Sequence, residues 1–371
     1  MVTIYKWLVV FFAAFILVVL CDPHVLAAPE AKAMLTVKAS SEAQMETQLA
    51  LDNKFLQHIR RNSKHTAASI IPVTDTALTL VDNGVTVTYS VDRKGNLYHT
   101  ETNEMIQLDT KIKLELVKYI QLARSTHFGK VVPWDKAKGI IPKKKKFKVI
   151  DVETGLSFNV QRRAGKHHAD VQPLTKEDTA IMKQIYKGKW SWKRTAIVVQ
   201  TGNKFLAASM HGMPHGGDGI PDNDFSGHFC IHFLGSTTHG SGNVDPEHQL
   251  MVYKAGGMLE EYFIQASPYE IVDAYINAFN FRDSQLLKMS FSNSKHQQLE
   301  LLYKNKDQIT GMRKRVKTIT KGTSGLLSLE IPVEVGITRG GRGEERATLL
   351  FQMKRTSFFE QWTIDSIDMI S

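Results

Sequence analysis

The chain has 371 residues, 42% of them hydrophobic and 23% charged. That is the composition of a folded protein, and the length exceeds one ordinary core, so two or three domains are expected. Two cysteines exclude a disulfide framework, and a formal net charge of +10 draws the protein to polyanions.

The N-terminus reads as an export signal, with Lys6 followed by an unbroken apolar run from Trp7 to Leu20. At about 1.5 Å per residue its 14 residues make a helix of about 21 Å, short of a roughly 30 Å hydrocarbon core. Cleavage is therefore expected. Val25 and Ala27 suit the −3 and −1 positions, Ala31 and Ala33 offer a second site, and Leu20 ahead of Cys21 argues against lipidation. Membrane contact would come only through this segment if uncleaved. Cleavage leaves Cys230 as the lone thiol of a secreted, wall-associated protein. Its polyanion is then a wall polymer bearing carboxylates or phosphates, or an anionic membrane surface, rather than nucleic acid.

Beyond a polar stretch, Glu42 to Arg61 reads as a helix. Hairpin signals follow at Asn83-Gly84 and Lys94-Gly95. Asp109 caps a helix from Thr110 to Ala123, whose apolar face holds Ile112, Leu116, Tyr119, Ile120 and Ala123. Trp134 to Lys148 reads as a basic linker with a cationic run at Lys143 to Lys146. Two strands surround Glu153-Thr154-Gly155, a helix from Lys176 to Tyr186 is capped by Thr175, and two more strands flank Gly202-Asn203. Trp190 and Trp192, two apart on one face of a strand, read as packing rather than as a sugar platform. A histidine-rich stretch then runs from Met210 to His248. Ser267-Pro268-Tyr269-Glu270 is a capping box that opens a helix with Ile271, Val272, Tyr275, Ile276 and Phe279 on its apolar face. Three alternating strands, "KRVKTIT", "LLSLEIPVEVGIT" and "ATLLFQMKRTSFFEQWTIDSIDMIS", end the chain.

The chemistry lies in the histidine-rich stretch. His211, His215, His228, His232, His239 and His248 crowd around Cys230 in "SGHFCIHFLG". A thiol of pKa about 8.5 is mostly neutral at pH 7 and needs a base or cation beside it to act as a nucleophile, and imidazole supplies either. Attack on a carbonyl also needs donors for the oxyanion, and Gly227 gives "SGHFC" the freedom to form a tight turn.

These residues resemble the L,D-transpeptidases of the YkuD type, in which a His-Gly pair precedes a Ser/Thr-His-Gly-Cys run. Here His211-Gly212 is followed fifteen positions later by Gly227-His228-Phe229-Cys230, and the match covers roughly residues 147 to 257. The resemblance implies that Cys230 is the acyl-accepting nucleophile and His211 its base, oriented through the Gly212 backbone. It also implies that His228 sits beside the sulfur and that the N–H groups of Phe229 and Cys230 form the oxyanion hole. Gly227 replaces the hydroxyl residue, Phe229 replaces glycine, and His232 stands where an arginine is usual. By spacing, His215 is a rival base. The implied substrate is a peptidoglycan stem peptide, and no cofactor is needed. A second reading is a zinc peptidase with His168, Asp170 and His215 as ligands, although no H-E-x-x-H spacing is present. Without metal, His168 and Asp170 form a hydrogen-bonded pair that orders a loop or the cleft rim. A third reading is a wall-binding module with a buried thiol.

The expected fold class is α+β and multi-domain: a signal peptide at 1–28, an N-terminal α+β region at 29–135, the basic linker at 136–148 and a central β-rich YkuD-like catalytic domain at 149–262. The helix-plus-meander at 267–371 resembles the cone-shaped nuclear-transport-factor-2-like α+β fold.

Overall fold

A computed structural model describes residues 33–370 apart from 53, 54, 56, 58, 60, 62, 69, 83, 84, 218, 240, 241, 305–307, 317–319, 341 and 342. The export signal, Cys21 and the Asn83-Gly84 turn lie outside the described residues. The fold is mixed α and β, with two open antiparallel sheets on either side of a closed six-stranded barrel in chain order. Among the described residues no helix is long and apolar enough to cross a membrane.

The first sheet holds β1 (Ala33–Lys38), β2 (Glu46–Leu51), β3 (Ser63–Ala67), β4 (Thr76–Asp82), β5 (Val85–Val91), β6 (Leu97–His99) and β7 (Glu104–Leu108), in the order β2-β1-β4-β5-β6-β7-β3. The helix expected from Glu42 is therefore a strand at its start. Thr47, Leu49 and Leu51 alternate into the core opposite β1, with Ala33 facing Leu51, and this period of two overrides helical propensity. Helix α1 (Thr110–His127) covers the sheet. Asp109 accepts the Ile112 N–H at its N-terminus, and Ile112, Leu116, Ile120 and Ala123 are buried as their spacing predicts.

The stretch read as a linker is structured. Trp134–Ile140 forms helix α2 and Lys146–Asp151 is β8, the first barrel strand, while Lys143 to Lys146 stay exposed along its edge. β9 (Ser157–Ala164), β10 (Ala169–Pro173), β11 (Arg194–Thr201), β12 (Lys204–His211) and β13 (Phe229–His232) close the barrel in the order β10-β13-β12-β11-β8-β9. Its interior is packed with Val149, Phe158, Val160, Val171, Ile197, Val199, Met210, Phe229 and Ile231. Helix α3 (Lys176–Ile185), capped by Thr175, lies against β9 and β10, and α4 (Pro246–Ala255) lies across β11 and β12.

Short helices α5 (Leu259–Gln265), α6 (Pro268–Phe281), α7 (Ser284–Ser290) and α8 (Gln297–Lys304) precede the last sheet. The Ser267–Glu270 capping box forms as read from the sequence. β14 (Ile309–Lys314), β15 (Ser328–Arg339), β16 (Glu344–Lys354) and β17 (Thr363–Met369) make a meander packed on α6, where Tyr275 meets Phe351 edge-on at 5.6 Å. The first meander strand runs up to Lys314, the first residue of "KRVKTIT", of which residues 317–319 lie outside the described residues, and the long terminal strand is two strands broken at Arg355 to Trp362. Ala196, Val198 and Ala207 on the outside of the barrel belong to one apolar cluster with both flanking sheets.

Candidate functional site

Strand alternation assembles the site. Phe229 and Ile231 fill the barrel, so His228, Cys230 and His232 share the opposite face. The neighbours of β13 obey the same rule. Asp170 on β10 stands directly across from Cys230, with His168 just before it, and Ser209 on β12 stands across from His232, with His211 two residues on. Helix α4 closes over this face through His248, whose Nδ1 lies 2.8 Å from Ser209 Oγ.

The base beside the thiol is His215. Its Nε2 lies 3.4 Å from Cys230 Sγ, and its Nδ1 lies 3.0 Å from the Met213 carbonyl. A carbonyl only accepts, so Nδ1 carries the proton and the Nε2 lone pair faces the sulfur. Backbone pairing fixes this geometry: His215 N–H donates to His228 O at 3.0 Å and His228 N–H returns to His215 O at 2.8 Å, which pins the base two residues from the nucleophile. Gly227 makes the pairing fit. Its φ is +87°, and a Cβ there would stand 2.3 Å from the His215 carbonyl oxygen.

The roles implied by resemblance change accordingly. His211 lies behind His215, within ligand distance of the same sulfur, and its Nδ1 accepts the Met213 N–H at 3.3 Å. Burial, with His215 and Arg194 nearby, pushes its pKa down to about 2, so it stays neutral. The orienting carbonyl belongs to Met213 rather than Gly212. Gly212 is glycine because a Cβ there would stand 2.3 Å from the Tyr186 ring. Phe229 and Cys230 already lie inside β13, flanked by β10 and β12, so the turn comes earlier, at Gly227. His228 does sit beside the site, its ring 4.4 Å from that of His215. His232, in the arginine position, is buried between the rings of His248 at 3.8 Å and His168 at 4.4 Å, and burial pushes it down to about 2.

Cys230 itself is 4% exposed. Burial and the facing Asp170 carboxylate raise its pKa, so the resting group is a thiol. Asp170 is opposed by its own burial, yet the neighbouring His168, His228 and His239 hold its carboxyl below the ordinary range. Trp190 and Trp192 lie in the loop before β11 rather than in a strand. Trp190 packs on Phe225, while the half-exposed Trp192 covers His211 at 4.7 Å and His215 at 5.2 Å and forms the rim.

Two ligand groups share the sulfur: His168, Asp170, Cys230 and His239, and His211, His215 and Cys230. The trio of His168, Asp170 and His215 is therefore split between them. His239 takes the place beside the carboxylate because the loop after β13 folds back on β10, where His168 Nδ1 donates to Thr237 O at 2.7 Å. No spacing in the sequence marks His239. His215, by contrast, carries a signal of its own, because it too is followed by glycine, Gly216. The arrangement as a whole offers a nucleophile with an oriented base on one side and a nest of lone pairs on the other. Neither a protein-family model nor a curated protein matches this chain.

Proposed function

We propose that the protein is an exported, cysteine-dependent acyl transferase acting on peptidoglycan stem peptides in the manner of L,D-transpeptidases, with a nuclear-transport-factor-2-like unit at its C-terminus. The observation that carries this reading is the Cys230–His215 pair, a thiol facing an unprotonated imidazole nitrogen at 3.4 Å whose other nitrogen is held by a carbonyl. His215 Nε2 takes the thiol proton as the sulfur attacks the carbonyl carbon of a diamino-acid residue. The C–N bond to the terminal D-alanine breaks, and His215 returns the proton to the departing amine, leaving a thioester on Cys230. An amine of a second stem, or water, resolves it. Because burial holds the resting thiol neutral, the proton moves during attack rather than before it.

The test is intact-mass spectrometry of metal-free protein after exposure to a penem-type β-lactam. A single covalent adduct is expected, absent in Cys230→Ser and formed about 10² times more slowly in His215→Ala. An adduct that persists in Cys230→Ser, or none in the wild-type chain, overturns the reading. A larger loss in His211→Ala than in His215→Ala overturns the choice of base.

A further inference from the structure

We propose that His168, Asp170, His239 and Cys230 form a site for a zinc-class divalent cation, on the side of the sulfur away from His215. The three non-sulfur ligand atoms make a nearly regular triangle. His168 Nε2 lies 2.9 Å from His239 Nε2, His239 Nε2 lies 3.1 Å from Asp170 Oδ1, and Asp170 Oδ1 lies 3.3 Å from His168 Nε2. A tetrahedron with metal bonds of about 2.0–2.1 Å has edges of about 3.3 Å, so the triangle already has the size of one face of a zinc site. Cys230 Sγ lies within 4.8 Å of all three and supplies the fourth corner.

Proton counting points the same way. His168 donates from Nδ1 to the Thr237 carbonyl, so in the neutral ring its Nε2 is a lone pair. The Asp170 carboxylate oxygen only accepts. One proton, on His239 Nε2, is left between two acceptors, His168 Nε2 and Asp170 Oδ1. A third ring adds to the excess, since His228 Nε2 is buried without a partner and lies 4.0 Å from the same carboxylate oxygen. A cation held by His168, Asp170 and His239 satisfies all three converging atoms, which a single shared proton does not. The carbonyl behind His168 fixes its tautomer and ring plane as an outer-shell partner does in metal sites, and the half-exposed His239 gives the ion a way in. Two imidazoles, a carboxylate and a thiolate suit zinc rather than magnesium or calcium.

On binding, the S–H bond breaks, the sulfur–metal bond forms, and the proton leaves to solvent by way of His215. The cation therefore overrides the upward shift of the thiol and ties up its lone pair. One consequence rests on the acyl-transfer reading: metal occupancy silences the nucleophile, and the protein would turn over only when metal-free.

Cobalt(II) is the probe, added to the full metal-free chain while near-ultraviolet absorbance from thiolate-to-cobalt charge transfer is followed. The expected result is a band that saturates at about one equivalent. Cys230→Ser should abolish the band, and His239→Ala, at a half-exposed position that the fold does not depend on, should weaken binding at least about tenfold. His215→Ala should keep the band. Absence of a saturable band, or a band lost in His215→Ala and kept in His239→Ala, overturns the site. The β-lactam adduct on metal-free protein is read separately. A cobalt band without an adduct overturns acyl transfer and supports the metal site, whereas an adduct without a cobalt band overturns the metal site alone.

Discussion

At the scale of single residues, the reactivity of Cys230 is set by two neighbours of opposite effect. His215 offers a lone pair at 3.4 Å, while Asp170 faces the sulfur across the strand pair and disfavours the thiolate. A nearby carboxylate commonly moves such a pKa by about one unit, or about tenfold in thiolate population. Asp170→Asn should therefore speed alkylation of metal-free Cys230 by iodoacetamide at pH 8 by about tenfold, with circular dichroism unchanged. An unchanged or slower rate would show that the carboxylate does not govern the thiol. Burial is the larger cause of the shift, so even this variant should react more slowly than an exposed cysteine.

At the scale of elements, alternation on β10, β13 and β12 explains why so many imidazoles meet. Each strand turns its apolar residues into the barrel and leaves the polar ones on one outer face, which α4 then covers. The covering has a thermodynamic consequence. His211 and His232 are pushed down to about 2 and His248 well below its ordinary value, in each case first by burial. Their unfolded forms bind protons near pH 6.5 and their folded forms do not, so the stability they contribute is complete above that pH and is lost as pH falls below it. Each such ring adds a slope of about 1.4 kcal/mol per pH unit. The urea midpoint should therefore fall between pH 7 and pH 5, and the fall should shrink in His232→Phe. A midpoint constant across that window would show that these rings are not held neutral by the fold.

Part of this element-scale picture was legible beforehand. The cap at Asp109, the capping box at Ser267 and the crowding of histidines around Cys230 follow from local chemistry that the sequence carries. The sequence left His211 and His215 open as the base because the Met213 turn, which orients His215, and the pairing of His215 with His228 are contacts made only on folding. His239 was not singled out for the same reason, since it reaches Asp170 through a loop fixed by Thr237. The supposed linker shows a further limit. Lys143 to Lys146 remain exposed, as their charge predicts, but exposure did not mean absence of structure, because Lys144 N–H donates to Arg162 O at 2.7 Å at the edge of the barrel.

At the scale of the whole molecule, the helix that closes the site also anchors it to the flanking units. Lys254 of α4 is 3% exposed and sits between Glu153, 2.5 Å away in the turn after β8, and Asp283, the N-cap of α7. Burial alone would discharge it, but the two carboxylates outweigh burial and raise its pKa. Ser40 donates to Glu153 at 2.7 Å and Ser284 to Glu42 at 2.6 Å, so the first sheet joins the same junction. Lys254→Met would leave Asp283 buried without its cation, a loss of about 3–5 kcal/mol. Lys254→Met with Asp283→Asn keeps a capping oxygen for Leu286 and removes the stranded charge, so its loss should be smaller than the sum of the two single losses. Denaturant midpoints of the four proteins give this coupling directly, and additive losses would show that the pair contributes nothing across the junction. Because His248 on the same helix stacks on His232, loosening α4 in Lys254→Met should also speed alkylation of Cys230, and the double variant should slow it again. An alkylation rate that ignores Lys254 would mean that the cover over the thiol is held by the barrel alone.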